Sequence, residues 1–399
     1  MNRMYDIVVI GGGITGAGVF QEAVKQGYRV LLLEKNDFAS GTSSKSSKLI
    51  HGGLRYLQYG EFKLVKESLK ERAELLKHYP HIVKPMPFVL PIYGFKLKYR
   101  IGMMLYQIFS KKTNMPRYHS FSKSELLKKY KGIKEDGLTG GFLYYDASTN
   151  DAALVNEVIT ESVLNGGEAY NYSDVIEAEQ GSECIHIRYK NCLTGAIQSV
   201  KGKYIINATG VWCDDVLSRV FKTSSAISAP SKGVHIILSN TLFKLKETIY
   251  IPSFQNDGRM IFLIPWEGVL LCGTTDTEYN ETIDRVQCTS DDIDYLLTCI
   301  NSFYPSMNIV KDSIIGTFSG LRPLLSKKGT DSKDRSREYK LWWEGERVLN
   351  IFGGKLTSFQ SMGRACINKL PLDKKERKQY RYLHDRYVTD LEKIKQESD

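Results

Sequence analysis

The sequence predicts an α/β protein in which a Rossmann-like dinucleotide-binding domain carries an inserted, mostly antiparallel β-sheet substrate domain. Three observations predict it. An apolar run at residues 5–10 leads into Gly11-Gly12-Gly13-Ile14-Thr15-Gly16, a helical pattern holding Phe20, Ala23 and Val24 follows, and a second apolar run at 30–33 ends in Glu34. Strand, glycine turn, helix, strand and an acid about 20 residues on make a dinucleotide-binding unit. Gly11 permits the tight strand-to-helix turn, Gly13 lets backbone N–H groups approach a pyrophosphate, and Gly16 lets the helix pack closely on the strand. Glu34 is placed to accept hydrogen bonds from a ribose. The unit by itself does not separate FAD from NAD.

The remaining elements alternate between strand and helix without repeats. A polar Ser/Lys segment occupies 40–48 and a long helical pattern runs over 61–76; the prolines between 80 and 91 break helix and mark a domain crossing. A hairpin-like region at 137–145 precedes a second helix, 151–165, which stops at Gly166-Gly167. Strands are expected at 184–190 and 203–207. The latter runs into Asn207-Ala208-Thr209-Gly210-Val211-Trp212, a small-residue turn that admits a ligand. Alternating runs at 233–238, 260–265 and 269–273 predict the antiparallel sheet. The expected division is 1–84, 144–226 and 313–372 for the nucleotide domain, 85–143 and 227–312 for the substrate domain, and 373–399 as a charged helix or tail.

Composition narrows the class. With 42% hydrophobic and 25% charged residues the 399-residue chain reads as a soluble globular protein. Its seven cysteines form no CxxC pair and no zinc or iron–sulfur spacing, so reduced thiols of a cytosolic chain, and no metal, are expected. No apolar run approaches the length of a membrane span. The net charge of +10 is concentrated at 96–134, 327–340 and 374–395. In the last of these Glu376, Asp385, Asp390 and Glu392 are interspersed, as on a solvated helix face. No motif for nucleic-acid binding accompanies the basic residues. The segment 99–112 is an apolar helix (Ile101, Met103, Met104, Leu105, Ile108, Phe109) flanked by Lys96, Lys98, Arg100, Lys111 and Lys112. It suits both an anionic membrane surface and a core-packed helix with snorkelling ends.

Further motifs add cofactor contacts. Thr42 and the stretch Ser43-Ser44-Lys45-Ser46-Ser47-Lys48-Leu49 offer hydroxyl and backbone donors near a pyrophosphate and flavin. Gly353-Gly354-Lys355-Leu356-Thr357, just before a helix, can present N–H groups to an isoalloxazine. Together with Gly210 these contacts exceed what a nicotinamide needs and favour FAD. Arg55 and Arg322 suit a phosphate, because a guanidinium binds it bidentately; Lys355 adds a point charge and Tyr56 a hydroxyl. His235, in a strand after Gly233, is the candidate general base, since an imidazole titrates near neutral pH. A guanidinium-assisted alternative through Arg322 stays open, and His51 either lines the flavin or shapes the Gly52-Gly53 turn.

Ser43 to Leu49 continued by Ile50-His51-Gly52-Gly53-Leu54-Arg55-Tyr56-Leu57, with Lys232-Gly233-Val234-His235, Gly273-Thr274-Thr275-Asp276, Gly320-Leu321-Arg322-Pro323-Leu324 and Phe352-Gly353-Gly354-Lys355-Leu356-Thr357, resembles the FAD-dependent glycerol-3-phosphate dehydrogenases. These lie within the glycine-oxidase and D-amino-acid-oxidase class of flavoenzymes. The resemblance covers roughly residues 4–370 and implies oxidation of glycerol 3-phosphate to dihydroxyacetone phosphate, with hydride passing to flavin N5. It implies a catalytic set of His235, Arg322 and Lys355, and substrate contacts from Arg55, Tyr56, His235, Arg322 and Lys355. The family's helical C-terminal cap is not expected in this chain. With no iron–sulfur motif or second nucleotide fingerprint, electrons are expected to leave to a quinone, with oxygen as the alternative. The expected location is cytoplasmic, peripheral on the inner face of the membrane. A same-fold oxidase of an amino acid or 2-hydroxy acid, and a non-catalytic flavin-binding protein, are the competing functions.

Overall fold

The computed structural model describes residues 3–110, 115–223, 227–255, 257–326, 338–373, 375 and 379–385, without the side chains of 55, 58 and 59. Lys111, Lys112, most of the 327–340 basic cluster, Glu376, Asp390 and Glu392 lie outside the described residues.

One sheet runs in spatial order Tyr339–Glu344, Val348–Gly353, Ile197–Asn207, Met4–Ile10, Val30–Leu33, Glu168–Tyr170. It is parallel from Val348–Gly353 through to Glu168–Tyr170. After Asp6, the strand Met4–Ile10 reads as a continuous apolar run because both faces are covered. Ile7 and Val9 pack with residues of helices Ile14–Lys25, Asp151–Leu164 and Phe359–Ile367. Val8 and Ile10 pack instead with Val175 and Ile187 of a hairpin and Val216 and Val220 of helix Cys213–Phe221. The first and last of the three helices touch at glycines, since a Cβ on Gly363 would lie 2.3 Å from the Gly18 carbonyl oxygen.

The second sheet runs Thr277–Glu278, Ser231–Ser239, Val269–Gly273, Met260–Trp266, Thr248–Pro252, Val83–Tyr93, Leu138–Thr149, Leu49–Ile50, with Ile314–Arg322 and His119–Phe121 as further partners. All its pairings are antiparallel except that of Thr248–Pro252 with Val83–Tyr93. The expected mixture of a parallel nucleotide sheet and an antiparallel second sheet is therefore present, but the chain crosses between them elsewhere. Leu49–Ile50, the 144–149 end of Leu138–Thr149 and the strand Ile314–Arg322, all assigned to the first domain from sequence, pair within the second sheet.

Helix Phe62–His78 ends just before Pro80, as the prolines predict, but Val83–Tyr93 then passes through Pro85, Pro87 and Pro91 as one strand. Pro85, Pro87 and Pro91 occupy alternate positions, so their missing N–H groups fall on one edge and the ladder to Leu138–Thr149 survives on the other. The hairpin-like 137–145 region is likewise a stretch of that partner strand. There Gly140, at φ +135°, admits the Phe121 carbonyl oxygen, which would lie 2.5 Å from a Cβ. A glycine within the region that reads as hairpin-like in sequence thus serves a close strand contact.

Helix Lys96–Phe109 starts and ends three residues earlier than read from sequence. It buries Met103 and Tyr106 while Leu97, Ile101, Met104 and Ile108 stay exposed. The described part of the tail is docked: Tyr380 and Tyr382 pack against the first core, and the Leu383 amide donates to Glu161 Oε1 at 2.7 Å. No helix among the described residues is long and apolar enough to cross a membrane.

Candidate active site

Strand ends and loops of the parallel sheet open into a cleft of about 1280 Å³, open solvent included. Gly11 sits at φ +109°, and a Cβ there would lie 2.6 Å from the Ala208 carbonyl oxygen, so the turn requires glycine. Gly13 precedes helix Ile14–Lys25 in extended backbone. Ser43 Oγ accepts from the Ile14 amide at 2.9 Å and would crowd a Cβ on Gly13 at 3.0 Å. The helix N-terminus, with Gly13, Ile14 and Thr15, lines the cleft, an arrangement that binds anions. Glu34 accepts from the amides of Gly12 at 2.6 Å and Asn36 at 2.8 Å. Burial raises its pKa, with those two N–H groups opposing. A carboxylate has about four acceptor sites, so Glu34 keeps capacity for a ribose hydroxyl.

Of the residues expected to hold the cofactor, Gly11, Gly13, Glu34, Thr42, Ser43, Gly210, Gly353, Gly354, Lys355 and Leu356 line this cleft. Gly16, Ser44, Ser47, Lys48, Leu49 and Thr357 do not. A Cβ on Gly16 would lie 1.8 Å from the Gly11 carbonyl oxygen, so its task is to let the helix meet the turn. Lys48, at φ +59°, turns inward to a buried ion pair: its Nζ lies 2.6 Å from Asp151 Oδ1 and donates to the Ser44 carbonyl at 2.7 Å. Asp151 also accepts from the Ser46 amide at 3.1 Å and Ser46 Oγ at 2.6 Å. The serine-rich loop is thus pinned to the start of helix Asp151–Leu164. The sequence reading missed Asp151, which is visible in sequence only as the residue after the N-cap Asn150. It also missed Asp174 and Arg219, which line the cleft and pair at 3.0 Å, because they come from a strand and helix far from the glycine motif.

The expected substrate residues fall into two groups. His235 lies on strand Ser231–Ser239 between its register partners Gly273 and Phe318. Its ring stacks on Phe318 at 4.7 Å and covers Gly273, whose Cβ would lie 2.4 Å from it. Nε2 is 2.9 Å from Ser47 Oγ, and Nδ1 has no hydrogen-bond partner among the described residues. Beside it, the Arg322 guanidinium donates to Thr274 Oγ1 at 2.9 Å, the Thr275 carbonyl at 3.0 Å and Ser231 Oγ at 3.2 Å, and faces Asp276 at 3.4 Å. In the second group Lys355 Nζ sits 3.7 Å from the centre of the Tyr56 ring. Arg55 lies in the helical turn Leu54–Tyr59, and its side chain is outside the described residues. The Ser/Lys loop joins the first group to the cleft: Thr42 Oγ1 donates to the Leu321 carbonyl at 2.7 Å, while Lys355 of the second lines the cleft itself.

The sequence argument had His235 titrating near neutral pH. Burial, with the Arg322 and Lys48 charges adding to it, instead lowers its pKa to about 3. The imidazole is therefore neutral throughout the physiological range. An unfolded histidine takes its proton near pH 6.5, so between there and about pH 3 the unfolded state binds the extra proton. Stability conferred by the neutral ring is present above pH 6.5 and is lost as pH falls, with a slope approaching ~1.4 kcal/mol per pH unit. Urea denaturation from pH 7 to pH 5 should show this slope in the wild type and a shallower one in His235→Gln. Equal slopes would assign the acid sensitivity to other groups.

A model of the FAD dependent oxidoreductase family matches residues 6–354. Aerobic glycerol-3-phosphate dehydrogenase of Staphylococcus haemolyticus is 37% identical over 92% of this chain and 67% of its own length. That of Bacillus subtilis is 38% identical over 92% and 66%. This chain thus spans about two thirds of the length of these curated relatives. Among solved structures, the glycerol-3-phosphate dehydrogenase of Bacillus halodurans complexed with FAD superposes with a TM-score of 0.74 at 31% identity, covering 92% of this chain and 64% of that one. L-alpha-glycerophosphate oxidase of Mycoplasma pneumoniae with FAD bound shares the fold, with a TM-score of 0.73 at 17% identity over 95% of this chain and 97% of that one. The matched span takes in the glycine turn, Glu34 and the Gly353-Gly354 turn, whose shape fits an extended dinucleotide. The cofactor is FAD, and this chain belongs to the FAD-dependent oxidoreductases.

Proposed function

We propose that this chain oxidises sn-glycerol 3-phosphate to dihydroxyacetone phosphate. The observation that carries this reading is the Lys355 ammonium in the lining of the FAD cleft, with the Arg322 guanidinium near the buried His235, which suits a small anionic substrate. Relatives at 37–38% identity that bear the name of this activity support glycerol 3-phosphate as that substrate.

FAD supplies, when bound, the two-electron acceptor for hydride leaving substrate C2. The amides at the start of helix Ile14–Lys25 and Ser43 would hold its pyrophosphate, Glu34 its ribose, and the 353–357 turn its ring system. Lys355, Arg322 and Arg55 hold the substrate phosphate, and Tyr56 orients the alcohol. The neutral imidazole of His235 receives the hydroxyl proton. A dianionic phosphate beside Arg322 offsets one cause of the depressed histidine pKa, so substrate binding itself raises the basicity of the ring.

Anaerobic addition of glycerol 3-phosphate to the yellow protein should bleach the flavin, and Lys355→Met should raise KM about 10- to 100-fold, the worth of a lost charge-assisted hydrogen bond. Bleaching by an amino acid or 2-hydroxy acid alone would make this a same-fold oxidase. No bleaching by any substrate would make it a non-catalytic flavoprotein.

For reoxidation the reading is a quinone at an anionic membrane surface. Phe95, Leu97, Ile101, Met104 and Ile108 are all about half exposed or more, beside Lys96, Lys98 and Arg100. Beside them lies an apolar pocket of about 1240 Å³, open solvent included, lined by residues including Leu54, Phe62, Leu90 and Met103. Such a face suits insertion among acyl chains with its cations at the headgroups. Substrate-reduced enzyme should be reoxidised faster by quinone in anionic vesicles than in neutral ones, and Lys98→Glu with Arg100→Glu should erase the difference. Reoxidation by oxygen at the same rate in every case would favour an oxidase.

A further inference from the structure

The turn His51-Gly52-Gly53 leads into the helical turn that carries Arg55 and Tyr56, where the Tyr56 amide donates to the Gly53 carbonyl at 2.9 Å, and the Gly52 amide finds its acceptors farther along the chain. Gly53 is left-handed at φ +77°, and a Cβ on it would meet the Tyr56 ring at 2.2 Å. A Cβ on Gly52 would lie 2.3 Å from Leu69 and 2.5 Å from Tyr106 Oη. The space behind the turn is therefore filled by side chains from helices Phe62–His78 and Lys96–Phe109.

Those side chains form a buried polar cluster. The Gly52 amide donates to Tyr106 Oη at 3.0 Å and to Asp146 Oδ1 at 3.2 Å. Tyr106 in turn donates to the Asp146 carboxylate, with both oxygens at 2.8 Å. Asp146 is closed off by an ion pair with Arg72, and both residues are fully buried. Arg72 also donates to the Tyr145 carbonyl at 3.0 Å. A buried N–H must find an acceptor, and a planar peptide has one orientation that gives this N–H both of its acceptors. The peptide joining His51 to Gly52 is thus set by two residues that do not touch the cleft.

We propose that Tyr106 and Asp146 are positioning residues for the reaction, acting through the Gly52 amide on the turn that presents His51, Arg55 and Tyr56. This rests on the functional reading above, which puts that turn at the substrate. Tyr106 belongs to the same helix whose opposite face is apolar and exposed, so the surface helix is built into the support of the active site. Tyr106→Phe keeps the ring and its edge-to-face packing against Tyr144, and removes only the hydroxyl.

The test uses holoenzyme. Tyr106→Phe is expected to retain full flavin content and a near-native melting temperature, while kcat/KM for glycerol 3-phosphate falls about tenfold, as displaced catalytic groups require. Hydrogen–deuterium exchange of peptides spanning residues 50–57 should speed up in this variant, and exchange elsewhere in the sheet should not. A lower melting temperature with unchanged kcat/KM per bound flavin would reduce the cluster to a structural role and overturn the inference. Unchanged exchange at 50–57 would also overturn it. If the wild type itself is not bleached by glycerol 3-phosphate, the functional reading fails, and the exchange measurement decides the positioning of the turn independently.

Discussion

Gly16→Ala is expected to leave a protein that folds but retains little FAD. Two effects oppose each other at this position. Alanine in the interior of helix Ile14–Lys25 gains about 1 kcal/mol over glycine in helix propensity. Against this, the added Cβ would stand 1.8 Å from the Gly11 carbonyl oxygen, a backbone atom that cannot swing aside as a side chain would. Overpacking of this kind costs about 1–3 kcal/mol, and relief requires the helix to lift from the very turn that faces the pyrophosphate. The strain therefore falls on cofactor binding, as a loss of about 5- to 150-fold in affinity. Visible flavin absorbance per protein after gel filtration, with a titration of added FAD, measures it. Gly102→Ala is the control, since a Cβ there meets nothing within 4 Å. A Gly16→Ala protein as yellow as the wild type would mean that helix and turn can separate without loss of the site.

The second large effect is expected at Asp151. Asp151→Asn removes the charge that faces Lys48 in a pair whose lysine side chain is 10% exposed and whose carboxylate is 0% exposed. Removing one partner of a buried pair costs about 3–5 kcal/mol, because the other charge stays buried without its counter-ion. The midpoint of urea denaturation should fall accordingly. Replacing both partners together, Lys48→Met with Asp151→Leu, should recover most of that stability, since apolar pairs of similar volume substitute well for buried ion pairs. It should not recover flavin affinity, because Ser46 loses both of its bonds to Asp151 and the loop that carries Thr42 and Ser43 loses its anchor. A double variant with native flavin affinity would show that the loop holds its shape without this tether.

How much of this was legible in the sequence depends on how local the physical constraint is. The 11–16 glycines, Glu34 and the 353–357 turn were readable because each must satisfy a backbone requirement within a few residues. The prolines at 85, 87 and 91 misled the reading, because proline forbids a helix locally but its compatibility with a strand depends on which edge is paired, which only the partner strand decides. The domain boundaries misled for a related reason: Ile314–Arg322 pairs with Ser231–Ser239 across about 80 residues of chain, and no local pattern records a partner that distant.

His235 shows the same division within one side chain. That a histidine stands in a strand after Gly233 was evident from sequence, and so was its candidacy as a base. That it is neutral follows from Phe318, Gly273 and the cations Arg322 and Lys48, which are assembled from other strands and a loop.

By itself the sequence determined the nucleotide turn, the choice of FAD over a nicotinamide and the set of cations and hydroxyls available to a substrate. Steric and hydrogen-bonding demands of that kind act between near neighbours in the chain. Only the tertiary structure decided which of those residues line the cleft, which stand behind it as anchors, and that Tyr106 and Asp146 accept from the Gly52 amide. Burial and charge at a site are sums over everything packed around it, and most of what is packed here comes from far along the chain.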